Sequence, residues 1–479
     1  MLTRIVVIGT GITGLAAAHR LLELSKESGR QLEVILLEAS SRPGGVLHTE
    51  THDGFLLERG PDSFISEKPE AIQLARRLNI DSHLIETNSA NRRSFIVRNG
   101  RLRKVPAGFH LLAPSQLVPF LTSDIFSFAG KARMAADLVL PRKSINGNSD
   151  ESLAQFVRRR LGEEALARMA QPMVGGIYTA DPEKLSLRAT FPRFLEMEAR
   201  HRSIILALLK AARRSSSAGT SGARYSLFLS FDRGAQLLSD TLIKRITSEE
   251  KAQLRLNTLV LSVVREKETS GYKWSVRVGP NETLNAHALC VALPAHSAAE
   301  VLKSVSPPMA TELQAIPYAS TATINLGYTR DAIPHPLDGF GFVVPYIEKR
   351  SVLACTFSSV KFAGRAPEGH VLLRAFVGGA LQPDMFALDE DEMVSRVRDD
   401  LRSLLGISRP PLFAKVSKWS RSMPQYEVGH LGRIDRIKKE LQNLPGLKVA
   451  GNAYNGAGIP DCIRSGETAA EELMKELQK

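Results

Sequence analysis

The start of the chain sets two unbroken apolar runs around a helical stripe. Ile5-Val-Val-Ile8 and Val34-Ile-Leu-Leu37 suit short strands buried on both faces, and Leu15–Leu22 between them reads as helix. Farther on, Leu153, Phe156, Val157, Leu161, Ala165 and Met169 recur at helical spacing, with cap-forming residues in Asn146–Asp150. Ile204–Arg214 is a second helix candidate and runs into Ser215–Gly222, a Ser/Gly-rich stretch that reads as a flexible linker. From residue 225 the pattern turns to strands over Leu254–Val264, Trp274–Val278 and Ala288–Leu293, the last stopped by Pro294. Thr323–Gly327, Gly341–Val344 and Val371–Val377 suit a sheet that floors a cavity, Leu447–Gly451 a strand, and Glu467–Leu477 a helix. The elements predict a mixed α/β fold without internal repeats. Residues 1–88, 225–296 and 420–479 are assigned to one discontinuous Rossmann-like nucleotide-binding domain. Residues 89–224 form a basic helical insertion, and 297–419 a mixed-sheet substrate domain.

The first strand and helix are joined by Gly9-Thr-Gly11-Ile12-Thr13-Gly14, and the second strand ends in Glu38. Strand, glycine turn, helix, strand and acid in this order form a dinucleotide-binding fingerprint. Gly9 permits the tight turn, Gly11 admits a pyrophosphate, Gly14 lets helix and strand pack closely, and the helix N-terminus faces the phosphates. Glu38 stands where a carboxylate accepts both ribose hydroxyls. Beyond it, Arg42-Pro-Gly44-Gly45 places a cation where it reaches the second phosphate of a longer ligand, which favours FAD over NAD. Gly60-Pro61-Asp62-Ser63 is a small-residue loop suited to approach the isoalloxazine. Asn455–Gly466 is a glycine-rich loop opening a helix, a second natural pyrophosphate seat at the other end of the chain. No second GxGxxG and no CxxC pair occurs. Electrons are therefore expected to enter from an organic substrate and leave to dioxygen or another small acceptor.

Composition narrows the class. At 479 residues, 43% hydrophobic and 24% charged, the chain reads as a globular protein without a membrane-spanning run. With the fingerprint starting at residue 5, a cleaved leader is not expected. Cys290, Cys355 and Cys462 are odd in number and lack metal-ligand spacing, which suggests buried spectators in a reducing compartment. The formal charge is +13, and between Ser89 and Arg224 there are 23 basic against 10 acidic residues. The rest of the chain is balanced, so the excess implies a local anionic partner. Within it, Arg158-Arg-Arg160 reads as the solvated face of a helix. No nucleic-acid-binding motif accompanies the basic pI.

Several stretches resemble the oxygen-dependent protoporphyrinogen/coproporphyrinogen oxidases, a branch of the flavin amine oxidase superfamily. They are Pro172–Pro182, Leu185–Pro192, Glu198–Ser203, Trp419–His430 and Gly456–Ile463, beside the N-terminal fingerprint and Arg42-Pro-Gly-Gly. The resemblance spans essentially the whole chain. It implies non-covalent FAD and loss of six hydrogens from a porphyrinogen in three flavin turnovers, each passing two electrons to dioxygen and giving peroxide. FAD contacts implied by it are Gly9, Gly11, Ile12, Thr13, Gly14, Glu38, Ala39, Arg42, Gly45, Gly60, Pro61, Asp62 and Ser63. Val260 would meet the adenine, with Trp419, Ala457, Gly458 and Ile459 near the flavin, and the Gly176 carbonyl would orient the macrocycle. No metal is implied, and no side-chain base is nominated.

One departure concerns the substrate carboxylates. Eukaryotic members resembling this chain carry a single Arg where Ser94 stands, with Arg92 and Arg93 just before it. Bacterial members often carry a Lys after the Gly-Pro-Asp-Ser loop, and Lys68 matches. Lys68 and Arg93 are therefore taken as carboxylate anchors. The tetracarboxylate coproporphyrinogen III is the expected substrate, with protoporphyrinogen IX as the alternative. The basic segment is read either as facing anionic lipid or as drawing a polyanionic substrate. The reading adopted is a cytoplasmic enzyme with weak peripheral membrane contact and a downstream chelatase as candidate partner. Another flavin amine oxidase activity, or a non-catalytic FAD-binding redox sensor, are the more distant alternatives.

Overall fold

A computed structural model describes residues 2–143, 150–214, 228–266, 271 and 273–478 of the chain. Strand β1 (Thr3–Ile8), helix α1 (Ile12–Ser28) and strand β2 (Leu32–Leu37) form where the apolar runs and the glycine turn predict them. β1 is central in a five-stranded parallel sheet, between β2 and β3 (Ala288–Val291), with Ala252–Arg255 and Leu447–Val449 at the edges. Ile5 and Val7 point into the core shared with α1, and Val6 and Ile8 into the core on the opposite face. A parallel sheet covered on both sides needs such unbroken apolar strands. The C-terminal helix Ile459–Leu477 packs against α1 so closely that a Cβ on Gly466 would lie 2.2 Å from the Thr13 carbonyl oxygen. Both ends of the chain therefore meet beside the glycine turn.

The expected strand over 254–264 divides at Asn257, whose φ of 51° turns the chain. Ala252–Arg255 stays in the parallel sheet, while Val260–Arg265 starts a separate three-stranded sheet.

The second large unit is a seven-stranded sheet. Its order runs β7 (Phe413–Pro424), β4 (Tyr318–Thr329), β6 (His370–Gly378), β5 (Ala354–Phe357), then Gly341–Val343, Phe95–Arg98 and Arg101–Lys104. The sheet thus takes in residues 95–104, which lie in the stretch that the sequence division gave to the helical insertion. The reason is local: Phe95-Ile-Val is a strand-forming run, and Asn99 and Gly100, at φ of 50° and 70°, close a two-residue hairpin. One face of the sheet buries Ile324, Leu326, Leu373 and Ala375 against Met393, Val397 and Leu401 of the helix Glu390–Leu405. Alternate residues point the other way. In register across four strands, Ala354, Phe376, Thr323 and Ser417 share that second face, as do Thr356, Arg374, Asn325 and Lys415 in the next row.

The helical insertion has a core of its own around Phe120, Phe126, Phe156, Met169 and Phe194. Every residue of the predicted helical stripe from Leu153 to Met169 is buried. Gly162, at φ 94°, nevertheless ends the helix Leu153–Arg160, and Leu166–Ala170 forms a π turn. The helix start is capped by Ser152 in a capping box with Gln155. Asn146 to Ser149 of the expected cap run, and the Ser215–Gly222 linker, lie outside the described residues. The Arg158–Arg160 run is not simply a solvated face. Arg160 follows Phe156 by four residues and so shares its buried side. It is fully buried, with its guanidinium on the Asp137 carboxylate and on the carbonyls of Pro141 and Arg202.

Candidate cofactor cleft and active face

The glycine turn is built as a seat for an anion. Gly9 adopts φ 96°, and a Cβ on Gly14 would lie 1.9 Å from the Gly9 carbonyl oxygen. Gly11 is the N-cap of α1; it offers no side-chain cap, and the first turn carries no acidic residue. A Cβ on Gly11 would meet nothing within 4 Å. The N-terminal amides of α1 are thus left for a ligand in open space, where the helix dipole favours negative charge. The Arg42–Gly45 loop closes over the turn: the Gly44 amide donates to the Thr10 carbonyl at 2.9 Å, and Gly45 lies against Gly11. Arg42 itself donates to the carbonyls of Pro43 and Leu47 at 3.0 Å each and to that of Gly45. Its guanidinium therefore staples the loop, beyond the phosphate contact that the sequence suggested.

Glu38 ends β2 beside the turn. One carboxylate oxygen accepts from the Thr10 amide (3.0 Å) and hydroxyl (2.7 Å), the other from the Ser40 amide (3.0 Å) and hydroxyl (2.8 Å). Burial alone would raise its pKa, but these four bonds outweigh burial and hold it below the ordinary carboxylate value. They also use all four acceptor positions of the carboxylate. The Thr258 amide donates to the Glu38 carbonyl at 2.7 Å, which carries buried Val260 to the same end of the cleft, beside exposed Ala39.

The Glu58–Ser63 loop lies on the second face of the seven-stranded sheet. Asn325 donates to the Glu58 carbonyl (3.1 Å), and Trp419 and Thr323 donate to that of Arg59 (2.9 and 3.2 Å). Arg374 donates to the Gly60 carbonyl. Lys361 donates to the Asp62 carboxylate at 3.0 Å and to the Ser63 hydroxyl at 3.1 Å. Burial opposes ionisation of Asp62, yet the charges of Lys361 and Arg374 prevail and hold it well below the ordinary carboxylate range. The structure thus brings Gly60, Pro61, Asp62, Ser63 and Trp419 together. Sequence reasoning missed Lys361, Arg365 and Arg374; the available signal was a lone Arg inside the apolar strand Val371–Val377.

The third wall is the C-terminal glycine loop. Gly458 caps the helix Ile459–Leu477 without a side-chain bond. The Tyr426 hydroxyl joins this loop across, donating to the Asn452 carbonyl and accepting from the Gly456 amide (2.9 Å). Buried Asp461 receives Lys68 at 2.6 and 2.7 Å. Lys68 therefore ties the segment after Ser63 to the Ala457–Ile459 turn. Arg93 pairs with Asp338 at 3.0 Å on the strand side of the molecule. The two predicted anchors each have their own carboxylate partner and share none. Gly176 is exposed in the last turn of the helix Gln171–Tyr178, just after the π turn. A Cβ there would stand 3.8 Å from Val343, which shares a row with Ala354, Phe376, Thr323 and Ser417. Gly176 thus overlooks the same sheet face, with the row spanning about 19 Å at usual strand spacing. A cavity of about 310 Å³ opens beside this helix end between Ala180, Lys184, Tyr318, Ser320, Ala380 and Gln425, and none of the sequence-predicted residues lines it.

Cys290, Cys355 and Cys462 are free and buried, and burial raises all three thiols, Cys290 and Cys462 to about 12. Their burial agrees with the expectation of buried spectators.

Comparison with known proteins agrees with this geometry. Residues 12–474 match the family described as flavin containing amine oxidoreductase. The chain is 35% identical to the coproporphyrinogen III oxidase of Bacillus subtilis (strain 168), covering 99% of this chain and 98% of that protein. It is 29% identical to the chloroplastic protoporphyrinogen oxidase of Nicotiana tabacum, over 99% of this chain and 86% of that one. A crystal structure from Exiguobacterium sp. 255-15, provisionally named a protoporphyrinogen oxidase, superposes with a TM-score of 0.85 at 30% identity, covering 100% and 99% of the two chains. The chain belongs to the flavin-containing amine oxidoreductases, in the branch that holds the coproporphyrinogen III and protoporphyrinogen oxidases.

Proposed function

We propose that the chain oxidises coproporphyrinogen III to coproporphyrin III, with non-covalent FAD as cofactor and dioxygen as acceptor giving hydrogen peroxide. The observation that carries the substrate choice is the end-to-end likeness to the Bacillus subtilis coproporphyrinogen III oxidase. When bound, FAD supplies the two-electron oxidations that remove the six hydrogens in three rounds. The chain's own groups bind and orient. The amides of Gly11, Ile12, Thr13 and Gly14 receive the pyrophosphate, with Gly9 and Gly45 shaping the turn. Glu38, Ala39 and Val260 hold the adenosine end, and Arg42 keeps its loop closed over the phosphates. The Gly60–Ser63 loop, Trp419 and Ala457–Ile459 surround the flavin, and the Gly176 carbonyl, on the exposed last turn of its helix, orients the macrocycle. The discontinuous nucleotide-binding domain, the helical insertion and the substrate domain divide this work as the sequence suggests, with residues 95–104 joined to the substrate sheet.

Lys68 and Arg93 keep 42% and 39% of their side-chain surface exposed, which leaves each able to share its cation with a substrate carboxylate. Lys68→Ala and Arg93→Ala are each expected to raise KM about tenfold with kcat little changed; KM values at wild type would remove both as anchors. A peripheral contact with anionic lipid is supported by Val118, Leu121 and Phe128, exposed in the basic insertion, Phe128 at 89%. Among the described residues no helix is long and apolar enough to cross a membrane. The working location is the cytoplasm.

The test is direct. The purified protein is expected to show a flavin spectrum and, in air, to generate porphyrin fluorescence faster from coproporphyrinogen III than from protoporphyrinogen IX. Preference for protoporphyrinogen would overturn the substrate assignment, and a flavoprotein active on neither would overturn the reaction.

A further inference from the structure

The sheet face beneath the Glu58–Ser63 loop holds a buried charge group that flavin binding alone does not require. Arg374 is 3% exposed at the centre of β6; besides the Gly60 carbonyl, its guanidinium lies 4.9 Å from the Phe376 ring centroid. Lys361 is 7% exposed on Asp62 and Ser63. Arg365, at 2%, donates to the Ser230 hydroxyl and the Phe231 carbonyl at 2.8 Å each and stands 4.0 Å from Glu58. Three buried cations thus face one buried carboxylate, Glu58, and the half-buried Asp62, with Asp232 only at the exposed rim. The Arg374 Nε and the neighbouring Asn325 Oδ1 are buried without partners. A loop carbonyl is satisfied by a neutral amide, so a buried guanidinium is an expensive way to hold Gly60. The excess positive charge calls for another explanation.

We propose that Arg374, assisted by Lys361, is a positioning residue that sets the flavin's reduction potential. It fixes the Gly60–Ser63 loop and keeps net positive charge beneath the isoalloxazine. Adding two electrons to a flavin adds negative charge to the ring, so a nearby buried cation favours the reduced form. The inference rests on the reading that this loop meets the flavin.

Dye-equilibration potentiometry on the flavin-loaded protein tests it, with wild type, Arg374→Lys, Arg374→Met and Lys361→Met compared. Arg374→Met and Lys361→Met are expected to shift the equilibrium with the reference dye about tenfold towards oxidised flavin, about 30 mV for a two-electron couple. Arg374→Lys keeps the charge and is expected to hold the wild-type potential while lowering Tm. Arg374→Met that retains flavin at the wild-type potential would overturn the proposal and leave a purely structural role. Should Arg374→Met not fold, Lys361→Met decides by the same reading. Wild-type protein that retains no flavin would instead break the cofactor reading on which the inference stands.

Discussion

The Gly9–Gly14 turn and the Glu58–Ser63 loop are both short connections that shape one cleft, but they are held in opposite ways. The turn is fixed by backbone geometry and near neighbours: the Gly9 amide donates to the Leu37 carbonyl, and Thr10 reaches Glu38, 28 residues away. The loop is fixed by side chains from remote strands. Lys361, Arg374 and Trp419 reach it across 299, 314 and 360 residues. A turn of the first kind forms as soon as its strand and helix form. A loop of the second kind has no defined shape until the seven-stranded sheet is assembled, because the loop-closure entropy falls on its long-range partners. The side of the cleft proposed to meet the flavin is therefore governed by buried electrostatics, and the side proposed to seat the phosphates by backbone.

Removing one of those charges gives the largest expected effect. Asp62→Ala leaves Lys361 and Arg374 buried without their carboxylate, which is expected to cost about 3–5 kcal/mol in denaturant unfolding. A loss below about 1 kcal/mol would show that the loop is not held by its charges. The same carboxylate fixes a pH dependence. Its folded-state pKa is depressed, so between the folded value and the ordinary 3.8 the unfolded chain binds the proton and the fold does not. Its stabilisation is complete above about pH 5 and is lost as pH falls below about 4. Asp62→Ala is expected to flatten the acid limb of the stability curve.

This contrast also explains what could be read from the sequence. The glycine turn, Glu38 and the first five-stranded sheet were legible because apolar period, glycine position and acid spacing are local properties. The Asn99-Gly100 hairpin was equally local, yet the basic residues around it masked its membership of the large sheet. Arg160 was misjudged because three consecutive arginines suggest solvent, whereas helix phase puts the third on the Phe156 side. Lys361, Arg365 and Arg374 were out of reach, since nothing near them in sequence indicates which loop they meet. Lys68 was singled out, but its partner Asp461 lies 393 residues away and came only with the fold.

The C-terminal glycine loop lies between the two extremes and provides a second pH test. Its bridging Tyr426 stacks on His430, with ring centroids 4.4 Å apart and planes at 14°. Burial, then the charge of Arg433, lowers His430 to about 4 from an ordinary 6.5. The unfolded chain takes up the proton first, so stability is complete above pH 6.5 and falls by about 3 kcal/mol towards pH 4. His430→Phe, which keeps the stack, is expected to remove most of that slope in thermal unfolding between pH 6.5 and 4.5 and to retain flavin better at pH 5. An unchanged slope would show that His430 is solvated and that the loop is not coupled to it.

The smallest effect is expected on the backbone-held side. Thr10→Val removes one of the four bonds to Glu38 and leaves the Thr10 amide and both Ser40 donors in place, a loss of about 1 kcal/mol in the apoprotein. With cofactor bound the loss should shrink. A ribose diol that reaches Glu38 has to take acceptor positions now filled by the Thr10 and Ser40 hydroxyls, so the valine variant forfeits less in the complex than alone. Flavin Kd is then expected to be equal to or slightly tighter than wild type. A Kd weakened tenfold, about 1.4 kcal/mol, would mean that the Thr10 hydroxyl persists in the complex. Glu38 would then be a brace of the turn, and the ribose would find its acceptor elsewhere.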